Sequence, residues 1–138
     1  MAAKKTPDVT KQVLAKARKG SYRESAFRPT DPALREKYFI RESELAWRVR
    51  DEIRNRVQFG RLNLYDEARV ALLGHLDIVF CRNVIIYFDD ASKRVVINNF
   101  YNHLIEGGYL LLGHAESLMT LSTQFKLRHL KNDMVYQK

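Results

Sequence analysis

The stretch Leu76–Asp90, reading Leu-Asp-Ile-Val-Phe-Cys-Arg-Asn-Val-Ile-Ile-Tyr-Phe-Asp-Asp, constrains this chain more than any other. Ile78-Val79-Phe80-Cys81 is short, apolar and partly β-branched, the pattern of a buried parallel strand rather than a helix. Arg82 and Asn83 then break an otherwise apolar run. Ligands of open α/β sheets bind just beyond the carboxyl ends of the strands, so a polar pair at this point stands where a ligand would. The same pair serves equally well to satisfy loop carbonyls and cap the next turn, and spacing alone leaves both readings open.

With 138 residues the chain is one domain long and apolar enough to bury a core. No apolar run approaches the roughly 18 residues of a membrane span, and Met1–Lys11 lacks the apolar centre of a secretory signal, which predicts a cytoplasmic protein. The single cysteine, Cys81, sits in the apolar strand and reads as a small buried side chain. The formal charge of +8 raises nucleic-acid binding. The basic residues are dispersed, however, and several alternate with acids, as in Arg50-Asp51-Glu52-Ile53-Arg54, which fits a solvated helix face at least as well.

Met1–Pro7 has no periodicity and is expected to be a disordered end or an expression remnant. Val13, Leu14 and Ala17, followed by Gly20, predict a helix over about Thr10–Lys19 with a cap before it and a glycine after it. Pro29 and Pro32 forbid a continuous helix, but Asp31 followed by Pro32 suits the start of a short one through Lys37. Tyr38–Trp47 has no clear period, and Glu44–Val49 fits a strand or the approach to a helix. A charged helix is expected over Val49–Asn55. The alternating Val57, Phe59 and Leu62 predict a strand, after which come Asn63-Leu64 and the polar connection Tyr65–Arg69.

Val95, Val96, Asn99, Phe100, His103 and Leu104 form one stripe of a helix starting at Asp89-Asp90. Glu106-Gly107-Gly108 is expected to end that helix and Tyr109–Leu112 to form a second buried strand, leading into Gly113-His-Ala-Glu-Ser117. Phe125–Leu130 and Met134–Tyr136 flank a turn and predict an antiparallel hairpin. The sum is an α/β fold with its ligand-facing loops on one edge.

Asp77-Ile-Val-Phe-Cys-Arg-Asn-Val-Ile-Ile-Tyr-Phe-Asp89, the Gly107-Gly108-Tyr-Leu segment, Gly113-His-Ala-Glu-Ser117 and Val135-Tyr136 together resemble the CheR-type chemotaxis receptor methyltransferases. Val13–Gly20 followed by Tyr22, and Arg61-Leu-Asn-Leu64, match in the same order. The resemblance runs from Asp8 to the end of the chain. It implies residues 8–138 are the carboxyl-terminal portion of a Rossmann-like class I methyltransferase domain with a final antiparallel hairpin. The implied activity is methyl transfer from S-adenosylmethionine to glutamate side chains in the cytoplasmic region of chemoreceptors.

By the same resemblance, Asp8 is similar to the acid that binds the ribose hydroxyls, Asn63 and Leu64 to the pair beside the adenine, and Arg82 and Asn83 to the pair after the fourth strand. Tyr87 corresponds to the tyrosine near the substrate and the transferred methyl. Asp8 also reads as a simple helix cap. The family's substrate-recognition helices, first two strands and glycine-rich cofactor turn have no counterpart, so the site is expected to be half present and the isolated chain to turn over little or nothing. In the parent fold the two strands lie between those at Val57 and Asp77, and their lack predicts exposed sheet edges that pair with another copy or a complementing chain, unless the sheet rearranges.

Two further classes stay open beside the enzyme: a non-catalytic scaffold derived from a methyltransferase, and a nucleic-acid binder, for which no recognised module speaks. His114 and Glu116 invite an acid–base role, against a turn held by its own hydrogen bonds. The spacing of the histidines relative to Cys81 gives no expectation of a metal site.

Overall fold

The computed structural model of the chain describes residues 9–131 and 133–138 and divides it into two compact units, one ending at Arg61 and one running from Leu62 to Lys138. Asp8 and the Met1–Pro7 end lie outside the described residues.

In the first unit, α1 (Val9–Lys19) ends on Gly20 at φ +62°, where the Gly20 N–H closes onto the Lys16 and Ala17 carbonyls. Glycine adopts this left-handed geometry without the Cβ penalty of other residues. β1 (Ser21–Arg23) follows, then a 3₁₀ turn over Glu24–Phe27 and α2 (Pro32–Tyr38). The expected cap is present: the Asp31 carboxylate accepts from the Ala33 N–H at 2.8 Å, with Pro32 in the first turn, where its missing donor costs nothing. The ambiguous stretch resolves as two strands, β2 (Phe39–Ser43) and β3 (Ala46–Val49), and α3 (Asp51–Arg54) is shorter than expected. The strands form an antiparallel sheet in the order β1-β3-β2. Phe27 meets Phe39 edge-to-face at 4.8 Å and packs near Trp47, while the Arg35 guanidinium lies 4.4 Å over the Trp47 ring.

The strand expected over residues 57–62 is not formed: among the described residues no strand pairs with this segment, and Val57 is exposed. Its alternation is a burial pattern, and a ladder also needs a partner for its N–H and C=O groups. The Phe59 carbonyl instead accepts from the Arg18 guanidinium at 3.2 Å.

The second unit runs α4 (Glu67–Ala71), β4 (Leu76–Cys81), a 3₁₀ turn over Ile85–Tyr87, α5 (Asp90–His103), β5 (Leu104–Leu112), β6 (Lys126–His129) and β7 (Met134–Gln137). Its sheet has the order β4-β5-β7-β6, with β4 and β5 parallel and β7 antiparallel to both neighbours, so the carboxyl-terminal hairpin takes the expected form. Asp66 and Asp89 cap α4 and α5 through the Arg69 and Ser92 N–H groups.

α5 ends at His103, three residues before Glu106-Gly107-Gly108. That segment makes an irregularity inside β5: Leu104 pairs with Leu76 and Tyr109 with Ile78, so residues 105–108 have no counterpart on β4. The core gathers Cys81, Ile85, Val96, Ile97, Phe100, Leu104, Leu110, Leu118, Leu121 and Phe125. Burial of each large aliphatic side chain contributes about 1.5–3 kcal/mol.

β4 departs from the expected buried strand in a telling way. It is the last strand of its sheet, and on one face Ile78 is 50% and Phe80 71% exposed. The apolar run is that of a strand covered on both faces, but among the described residues of its own unit nothing covers this face or pairs with this edge.

Candidate functional site

β4 and β5 run parallel with Cys81 opposite Leu112, so the segments leaving both carboxyl ends, Arg82-Asn83 and Gly113-His114, lie side by side. Glu116 joins them. The turn that carries it closes by its own N–H to the Gly113 carbonyl at 2.9 Å. One carboxylate oxygen, Oε2, accepts the Gly113 N–H at 2.7 Å and the Asn83 N–H at 2.8 Å, and Oε1 accepts the N–H groups of Val84 at 3.0 Å and Ile86 at 3.3 Å.

Glu116 is 8% exposed. Burial by itself would raise its carboxyl, but the donors from Gly113, Asn83, Val84 and Ile86 outweigh it and hold the group below the usual carboxylate range. The clamp fixes Asn83 at φ +58°, a left-handed conformation that asparagine tolerates better than most residues. It also requires glycine at 113, because a Cβ there would lie 2.6 Å from Asn83 Oδ1 and 2.9 Å from Glu116 Oε2. Cys81, beneath the loop, is buried, and burial together with the Glu116 charge pushes its thiol up to about 11, which suits a packing role.

A second tie fixes the segment after Arg61. The buried Asn99 side chain of α5 donates from Nδ2 to the Leu64 carbonyl at 2.9 Å, and Leu64 packs on the core that holds Cys81 and Ile85. Asn63 Oδ1 accepts the Tyr65 N–H at 3.2 Å. Arg82 and Asn83 are exposed, and Tyr87, closing the 3₁₀ turn, is 82% exposed. Asn63, Leu64, Arg82, Asn83 and Tyr87 are thus all carried by one unit around one core, whereas Asp8 falls outside the described residues.

His114 is exposed, and Glu116 has its lone pairs taken by backbone donors, so the turn-stabilising reading of that pair is the one the geometry supports. Sequence reasoning anticipated a turn held by Glu116 but missed its hold on Asn83, Val84 and Ile86, and it missed what Asn99 does. Their signals were present, as an amide inside an apolar helical stripe and an acid just past a strand. Neither signal names a partner 30 to 35 residues away.

The cavity that shares Gly113 and Glu116 with this rim measures about 70 Å³, far below the roughly 300–1,000 Å³ of a small-molecule pocket. A larger cavity of about 580 Å³, lined by Tyr22, Phe39, Val49, Ile53, Val57 and Phe59 among others, belongs to the first unit. The rim is therefore one wall, open toward the unpaired edge of β4.

Residues 5–134 match the family described as CheR methyltransferase, SAM binding domain. The chain belongs to this family. It is 35% identical to chemotaxis protein methyltransferase 2 of Vibrio cholerae over 95% of its own length and 46% of the relative's. It is 40% identical to the chemotaxis protein methyltransferase of Klebsiella aerogenes and 37% identical to that of Escherichia coli, over 88% of this chain in both cases and 42% and 43% of those proteins. The chain thus spans less than half the length of these relatives.

The mixed α/β fold is consistent with a Rossmann-like methyltransferase fragment, and the family's cofactor is S-adenosylmethionine. Against that cofactor the rim offers an exposed guanidinium, two amide side chains and an open strand edge, with no enclosing cradle among the described residues. The residues present fit one side of the group.

Proposed function

We propose that this chain is the carboxyl-terminal part of an S-adenosylmethionine-dependent methyltransferase that modifies glutamate side chains in the cytoplasmic region of chemoreceptors, and that it acts when a second polypeptide segment completes the cofactor site. The observation that carries the reading is the Arg82-Asn83 rim, locked at the carboxyl end of β4 beside a strand edge that has no partner among the described residues. Asn63 and Leu64 would line the adenine side, Arg82 and Asn83 the rim after β4, and Tyr87 would meet the glutamate substrate; Asp8 is assigned to the ribose hydroxyls. When bound, S-adenosylmethionine supplies a methyl group activated by a sulfonium. The chain's own residues then need to align and desolvate a carboxylate rather than act as a strong base. Tyr87 suits that task, since its side chain is exposed and its phenol can hydrogen-bond an incoming carboxylate. The reading places the protein in the cytoplasm; among the described residues no helix is long and apolar enough to cross a membrane.

The β4 edge supports pairing with a complementing chain or with a second copy. Titration calorimetry with S-adenosylhomocysteine tests the incomplete-site reading. Weak binding by the chain, tightened by the amino-terminal half of a CheR-family relative together with labelling of a receptor fragment, is expected. Binding as tight as that of an intact enzyme by the chain alone overturns the incomplete site. No binding and no labelling even with that half added overturns the enzyme reading in favour of a non-catalytic scaffold, which the exposed face of β4 also accommodates.

A further inference from the structure

Among the described residues only two polar side chains are buried, Asn99 and Glu116. A buried polar group needs a partner, and cores more often avoid the problem with apolar residues. Each of these two spends hydrogen bonds on the backbone at one of the two separate segments assigned above to the cofactor, and Glu116 also accepts from Gly113 of its own turn. Asn99 holds Leu64, and Glu116 holds Asn83, Val84 and Ile86.

Both are themselves well anchored. Asn99 lies between Val96, Ile97 and Phe100 on the buried face of α5. The loop that carries Glu116 is fixed by the buried Leu118, by the Tyr136 hydroxyl accepting the Leu118 N–H at 3.1 Å, and by the Arg94 guanidinium donating to the Thr120 and Leu121 carbonyls at 2.7 and 3.0 Å. The rim it organises is solvent-exposed and contains a residue at positive φ, a conformation that persists only when its surroundings impose it.

We infer that Asn99 and Glu116 are positioning residues of the cofactor site: neither faces the ligand, and together they set the backbone of its two walls, Asn63-Leu64 and Arg82-Asn83. The inference rests on the cofactor reading proposed above. It predicts that truncating either residue loosens its own segment and weakens cofactor binding while leaving the β6–β7 hairpin unchanged.

Nuclear magnetic resonance of the ¹⁵N-labelled full chain tests it. In the unsubstituted protein the Asn83, Val84, Ile86 and Gly113 amides should be protected from hydrogen exchange like strand amides although their loop is exposed, and the Asn83 coupling constant should report positive φ. In Glu116→Gln those four amides should exchange about 10- to 100-fold faster, the range for losing one hydrogen bond to a buried charge, with β6–β7 unaffected. Asn99→Leu should act on Leu64 and Asn63 alone.

Loop-like exchange of the four amides in the unsubstituted chain overturns the clamp without any variant, which keeps the test valid should Glu116→Gln fail to fold. Titration with S-adenosylhomocysteine up to millimolar concentration forms the second arm. Shifts at Asn63, Leu64, Arg82 and Asn83 that weaken about tenfold or more in Glu116→Gln support the inference. Equal binding by both proteins overturns it and leaves the cofactor reading intact. No shifts in the unsubstituted chain count against a cofactor wall in these residues, and with it against a positioning role toward that ligand, even where the exchange data uphold the clamp.

Discussion

Gly113→Ala is the sharpest probe of the strand-end clamp. A Cβ at this position would sit 2.6 Å from Asn83 Oδ1, 2.9 Å from Glu116 Oε2 and 3.1 Å from Asn83 N, where an ordinary C···O contact is about 3.3–3.6 Å. The first contact is with the end of a side chain and is relieved by rotating the Asn83 amide. The other two are not, because Glu116 Oε2 and Asn83 N are tied to one another at 2.8 Å, and Oε2 is also tied to the Gly113 N–H at 2.7 Å. Making room for the methyl therefore stretches at least one hydrogen bond to a buried carboxylate, a class of interaction that contributes about 1.5–3 kcal/mol. With some relaxation of the loop, a loss of about 2 kcal/mol in the stability of the second unit is expected, or about 1 M in the urea midpoint for a slope of roughly 2 kcal/mol/M. The readout is exchange of the β4 and β5 amides in urea. Gly60→Ala is the control, since its Cβ meets nothing within 4 Å. An unchanged midpoint in Gly113→Ala would refute the packing argument.

The depressed Glu116 carboxyl makes a contribution to stability that is present above its ordinary value of 4.5 and is lost as pH falls through the lower folded value; urea midpoints between about pH 6 and 3 should therefore decline, and Glu116→Gln should flatten that part of the decline. Cys81, with its thiol near 11, should have only about 0.1% thiolate at pH 8 and resist iodoacetamide until the chain is unfolded in urea. Phe80→Lys, on the uncovered face of β4, should alter folding stability by less than about 0.5 kcal/mol and reduce any self-association seen by light scattering as concentration rises; a cooperative loss of stability would show instead that this face is packed. Phe27→Ala, which removes the edge-to-face contact with Phe39, should cost the first unit about 3–5 kcal/mol, read through Trp47 fluorescence.

Much of the local structure was legible in the residues because it rests on short-range chemistry. Asp31 and Asp89 announce helix starts by their side-chain acceptors, Gly20 announces a helix end by its left-handed φ, and the stripe on α5 follows from helical period alone. The parallel β4–β5 pair and the final hairpin were readable too, and with them the place of Arg82-Asn83 at a strand end. The rim residues were named through family motifs, which fix residue types at fixed spacings.

What only the tertiary structure decided are the pairings made at long sequence range. Residues 57–62 alternate as a strand should, but alternation does not supply a ladder partner, and the segment stays unpaired among the described residues. β4 has the composition of a strand buried on both faces, and its Phe80 nevertheless faces open space, because burial depends on which neighbours the rest of the chain provides. The hold on Asn83 comes from Glu116, 33 residues later, and the hold on Leu64 from Asn99, 35 residues later. A sequence records which groups are able to donate and accept; only the fold brings a buried acceptor within hydrogen-bonding distance of the donors it must satisfy.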